Sequence, residues 1–164
     1  MGEALLRAHL HERGASCVVH SAGTMSWDAS PPGEAMTVME EMGLDISEHR
    51  ARPLSVDLIE GADLILGMTR DHVGRVVALV PDAWERTFLV RELVRLAERV
   101  GPRQERETPA EYVRLVGAGR PEVRVPGRAG DEVDDPYGEP VYAYRATATR
   151  LDAELRELAA LLAP

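Results

Sequence analysis

The sequence predicts an α/β fold in which helices flank a parallel sheet, and three observations predict it. Short apolar segments alternate with amphipathic ones along most of the 164 residues, the βα order of a parallel sheet. Asp63-Leu64-Ile65-Leu66-Gly67-Met68 is almost continuously apolar, which suits a strand covered on both faces. Tyr144, Ala148, Leu151, Leu155, Leu158 and Leu162 follow one another at alternating spacings of four and three, the stripe of a long helix packed by one face.

Taken in order, residues 3 to 13 read as a helix with Ala4, Leu5, Leu6, Ala8 and Leu10 apolar and Gly14 as its left-handed stop. Cys17-Val18-Val19 reads as a short buried strand. Residues 34 to 42 form a second helix, with Met36, Met39 and Met42 as core and Gly43 as terminator. Ser55 caps a short helix through Ile59, and Thr69 caps another through Val77 after the strand at 63 to 67. Thr87-Phe88-Leu89-Val90 is the next strand, followed by a helix around Leu93 and Leu96. From Gly101 to Gly130 the composition turns to Pro, Gly, Arg and Glu, which reads as a surface insertion with Thr108 capping one helix through Val116. No repeat or domain-sized break interrupts residues 1 to 164, so a single domain is expected.

Composition narrows the function. With 45% hydrophobic and 29% charged residues the chain has the makeup of a globular protein. A net charge of -9 argues against a nucleic-acid partner, because phosphate-backbone affinity needs a clustered basic face. No apolar run approaches the ~20 residues that span a bilayer, so no membrane partner is expected. One cysteine makes no intramolecular disulfide, and the start lacks the pattern of a signal peptide, which together predict a cytoplasmic location. All 19 basic residues are arginine, a usage that GC-rich codons explain more simply than nineteen guanidinium contacts. His9, His11, His20 and His72 show no metal-ligand spacing, and no cofactor is predicted.

The motifs are weak one at a time. Ser21-Ala22-Gly23-Thr24 and Asp135-Pro136-Tyr137-Gly138 are both built from turn residues. Their order is more specific: Gly2-Glu3-Ala4-Leu5-Leu6-Arg7, then Ser21-Ala22-Gly23-Thr24 with Trp27, then His49-Arg50-Ala51-Arg52, then Ala62 to Leu66, then Asp134-Asp135-Pro136-Tyr137-Gly138. That series resembles the low-molecular-weight protein tyrosine phosphatase family over nearly the whole chain except 101 to 130. The resemblance implies a three-layer αβα fold of the phosphotyrosine phosphatase I type, strand order 2-1-3-4. It implies hydrolysis of a phosphotyrosine protein or aryl phosphate through a phosphocysteine, without metal.

Carried over residue by residue, the resemblance makes Asp135 the general acid, Tyr137 one aromatic wall for the substrate ring, and Trp27 the variable-loop aromatic that shapes substrate choice. Ser21 and His49 become hydrogen-bonding supports beneath the phosphate loop. Two departures stand out. Gly138 occupies the position where many relatives carry a second aromatic. The family's Cys-X5-Arg loop is not among these residues: the sixth residue after Cys17 is Gly23, and Cys17 follows the first helix instead of preceding it. Cys17 is therefore expected to be a buried strand residue and not a nucleophile.

Met1 falls at the methionine that follows the loop in the family, so the resemblance implies a chain that lacks the first, central strand and its loop and is expected to be inactive. The alternative is a non-catalytic phosphatase-like binding protein that keeps the scaffold. The arsenate reductases of the same fold need further cysteines and are disfavoured. Oligomeric state is open at this level.

Overall fold

The computed structural model describes residues 1–24, 29–121 and 125–163. Its helices are α1 (Gly2–Glu12), α2 (Gly33–Glu41), α3 (Val56–Glu60), α4 (Arg70–Leu79), α5 (Val90–Val100), α6 (Pro109–Gly117) and α7 (Val141–Leu162), with a 3-10 turn at Pro81–Arg86. Two strands, β1 (Ile65–Gly67) and β2 (Thr87–Leu89), pair in parallel with Ile65 opposite Thr87, Leu66 opposite Phe88 and Gly67 opposite Leu89.

Alternation along the strands assigns the layers. Ile65 packs with Ile59 of α3 and Val76 of α4, together with Ala83. Leu66 and Phe88 point the other way, into a larger cluster with Leu5 of α1, Leu93 of α5, and Leu155 and Leu158 of α7. Helices thus cover both faces of a parallel sheet, as the apolar run at 63 to 68 requires. The caps form where expected: Ser55 Oγ accepts the Leu58 N–H at 3.4 Å, and Thr69 Oγ1 the His72 N–H at 3.4 Å. Thr108 and Glu111 exchange hydrogen bonds in a capping box. Among the described residues, no helix is long and apolar enough to cross a membrane.

Two sequence expectations are corrected. Residues 17 to 19 do not form a strand; Val18 is 79% exposed and Cys17 is exposed, not buried. The reason is the absence of a partner: β1 pairs with β2 on one edge only, and among the described residues no strand fills the other edge. A segment with strand propensity but no ladder leaves its backbone to water. The Val19 carbonyl instead accepts the Arg7 guanidinium at 3.1 Å.

The second correction concerns 101 to 130. The helix that Thr108 was expected to cap forms as α6, but it is not a surface feature: its Tyr112, Val113 and Val116 are completely buried in the main cluster. The Tyr112 hydroxyl donates to the Gly101 carbonyl at 2.7 Å. Burial first, and then the Glu107 charge, push this phenol up from 10.0 to about 12. The fold therefore favours neutral Tyr112, and that contribution is complete below pH 10.0 and is lost as pH rises towards about 12. The urea midpoint should fall steeply between pH ~10 and ~12, and Tyr112→Phe should flatten that fall while losing about 1 kcal/mol at neutral pH. An unchanged alkaline slope in Tyr112→Phe would refute the assignment.

Candidate functional site

The site is assembled around Met68, the residue that leaves the carboxyl end of β1. Ligands of open parallel sheets bind outside these strand ends. A Cβ placed on Gly2 would lie 3.0 Å from Met68 Cε, so the amino end of α1 is packed directly against this side chain. The Met68 carbonyl accepts the Val133 N–H at 2.8 Å, which attaches the segment leading to Asp135 at the same point. Two remote stretches of sequence thus meet at the carboxyl end of β1.

The Asp135 turn is locally well defined. Asp135 Oδ1 accepts the Tyr137 N–H at 3.0 Å, and the Pro136 carbonyl accepts the Glu139 N–H at 2.9 Å. Gly138 takes φ +82°, a left-handed conformation that a second aromatic would adopt only under strain. Pro136 is buried while Asp134, Asp135 and Tyr137 are exposed, so the proline anchors the turn and its neighbours face outward. Tyr144, in the first turns of α7, is buried beneath it. Burial raises its phenol, opposed by a hydrogen bond with the Gly138 backbone and reinforced by the charges of Glu34 and Asp135.

A second cluster lies at the amino end of α1. The Ser21 hydroxyl donates to Glu3, the Arg7 guanidinium pairs with the same carboxylate, and His49 Nδ1 stands 3.9 Å away. Arg52 Nε donates to the Ser21 carbonyl at 2.9 Å. Burial pushes the Glu3 carboxyl up, but the hydrogen bonds of Ser21 and Arg7 and the charges of Arg7 and His49 outweigh it, leaving it below the ordinary value. Ser21 and His49 were expected to support a phosphate loop; here they converge on Glu3. Sequence reasoning passed over Glu3 as a hub, although an acid in the first helical turn with Arg7 four residues on was a visible signal.

Asp135 and Tyr137 share one turn, and Ser21 and His49 share the other cluster. Trp27 lies outside the described residues. Cys17 is exposed and lies beyond the end of α1, not at a helix amino end.

Comparison with known proteins gives this geometry a family. Residues 1–102 match the low molecular weight phosphotyrosine protein phosphatase family. The chain is 37% identical over 93 residues to the probable low molecular weight protein-tyrosine-phosphatase EpsP of Ralstonia solanacearum; this covers 57% of the chain and 62% of EpsP. It is 27% identical over 163 residues to the protein-arginine-phosphatase of Bacillus subtilis, covering 97% and 85% of the two chains. The crystal structure of the low molecular weight protein tyrosine phosphatase from T. tengcongensis superposes with a TM-score of 0.69 at 27% identity, over 96% of this chain and 86% of that one. The chain belongs to the low molecular weight phosphotyrosine protein phosphatase family.

Proposed function

We propose that this chain is the body of a phosphatase acting on phosphotyrosine, carrying the proton donor and ring-binding turn while its nucleophile comes from a Cys-X5-Arg loop outside residues 1 to 164. The observation that carries this reading is the meeting of α1's amino end and the Asp135 segment at Met68. A helix amino end attracts a phosphate dianion through its unsatisfied N–H groups and dipole. The exposed carboxyl of Asp135 stands on the turn joined to the same point.

In the reaction, the thiolate of that loop forms an S–P bond as the P–O bond to the phenol breaks. Asp135 gives its proton to the departing phenolate, and in the second half it takes a proton from the water that hydrolyses the phosphocysteine. An arginine gripping two phosphate oxygens stabilises the charge spread on them. Tyr137, 64% exposed, offers a ring face, and Trp27 is proposed as the aromatic that shapes substrate choice. We place the protein in the cytoplasm, as a single domain.

A second reading, hydrolysis of phosphoarginine, is favoured by one specific observation. The alignment to the arginine phosphatase runs through the Asp135 turn and α7, covering 97% of the chain. Gly138 leaves room beside the turn, and Asp134, Asp135 and Glu139 surround it with acid suited to a guanidinium-bearing substrate. Peptides carrying phosphotyrosine and phosphoarginine, offered to the protein with its loop in place, separate the two. Faster release from phosphotyrosine is expected; faster release from phosphoarginine selects the second reading, and release from neither refutes both.

A further inference from the structure

The segment that delivers Asp135 is bracketed more heavily than a surface connection needs. A Cβ on Gly127 would come 2.6 Å from Leu89 Cδ1 and 2.9 Å from Asp131 Oδ2, so the backbone there lies directly on the end of β2, at φ +65°. Asp131 is 6% exposed. Its Oδ2 accepts the Arg128 N–H at 2.7 Å and the guanidinium of Arg95 from α5. Next, Glu132 Oε1 accepts the Arg70 N–H at 2.9 Å, at the start of α4. Val133 then donates to Met68, and its side chain is buried. The Gly130 carbonyl accepts Arg150 of α7 at 2.9 Å.

The consequence lies in the order of these bonds along the chain. Each residue from 130 to 133 is tied to a different part of the fold, and the first residue after these ties, Asp134, is exposed. Of the ties, only Asp131 with Arg95 joins two opposite charges with little water around them, so its loss leaves a carboxylate or a guanidinium without its partner. We propose that Asp131, held by Arg95, is a positioning residue that fixes the Asp135 turn over the carboxyl ends of β1 and β2. It touches no substrate. The proposal rests on Asp135 being the proton donor, but its test does not depend on turnover.

Backbone amide hydrogen exchange and pH-dependent amide shifts of the full chain provide that test. In the unaltered chain the Tyr137 amide shift should follow ionisation of Asp135, whose Oδ1 accepts that N–H. In Asp131→Asn, the Val133 and Tyr137 amides should exchange about tenfold faster and the Tyr137 pH response should shrink, with Leu155 and Leu158 amides in α7 unchanged. Arg95→Lys keeps the charge and should restore most of the protection. Arg95→Met reads the same pair from the other side, with the Arg128 bond to Asp131 left in place, should Asp131→Asn not fold. Equal acceleration at all amides, or an unaltered Tyr137 pH response, would overturn the proposal.

Discussion

Arg120→Met is expected to lose about 3 to 5 kcal/mol of stability, a large part of what a domain of this size possesses. The Arg120 guanidinium is sandwiched between Trp84 and Phe88, 4.3 and 3.9 Å from their ring centroids. It is bound to both Glu92 oxygens at 2.9 Å, to the Trp84 carbonyl at 2.8 Å and to the Thr87 carbonyl at 2.5 Å. Only 6% of the Arg120 side chain and 4% of the Glu92 side chain are exposed. Removal of the cation leaves a buried carboxylate and two carbonyls without their donor, which is far more damaging than removing both charges together. The double variant Arg120→Met with Glu92→Met should therefore be more stable than Arg120→Met alone. Denaturant unfolding of the three chains measures this coupling, and a loss under ~1 kcal/mol in Arg120→Met would contradict it.

Nothing in the sequence singled out Arg120, because it stands in a Gly-rich stretch of the kind that reads as exposed. Its partners are 28 to 36 residues away and meet it only after α5 and α6 have packed. The same is true of Asp131, whose carboxylate reads as solvated until Arg95 is brought across from α5. Helices were legible for a different reason: their caps and apolar stripes are local, so Ser55, Thr69, Thr108 and the Tyr144-to-Leu162 series predicted α3, α4, α6 and α7 closely. The strand at 17 to 19 failed because strand formation depends on a partner that propensity does not reveal. At the site, the Asp135 turn was legible from four adjacent residues, whereas the hub at Glu3 needed Ser21 and His49 to arrive from elsewhere in the chain.

The second large effect concerns chemistry. On the proposed reading, residues 1 to 164 supply the acid turn and the helix amino end while the nucleophile comes from elsewhere; Cys17 stands exposed after α1. Joined behind a strand and a Cys-X5-Arg loop, the chain should hydrolyse aryl phosphates, because the edge of β1 that no strand pairs among the described residues and the packing of Gly2 on Met68 offer that segment its place. Asp135→Asn in that protein should then lower kcat about 10²- to 10⁴-fold on phenyl phosphate, whose leaving group needs the proton. On para-nitrophenyl phosphate, whose phenolate leaves readily without a proton, the loss should be much smaller. An equal loss on both substrates would mean that Asp135 is not the proton donor.

Hydrolysis of para-nitrophenyl phosphate by residues 1 to 164 alone, measured beside Cys17→Ser, is the most direct measurement. Neither chain should turn over the substrate, and turnover should appear only when the Cys-X5-Arg segment is joined. Turnover by the chain alone that survives Cys17→Ser would contradict the reading, since it would place a complete phosphatase site within residues that hold no usable thiolate.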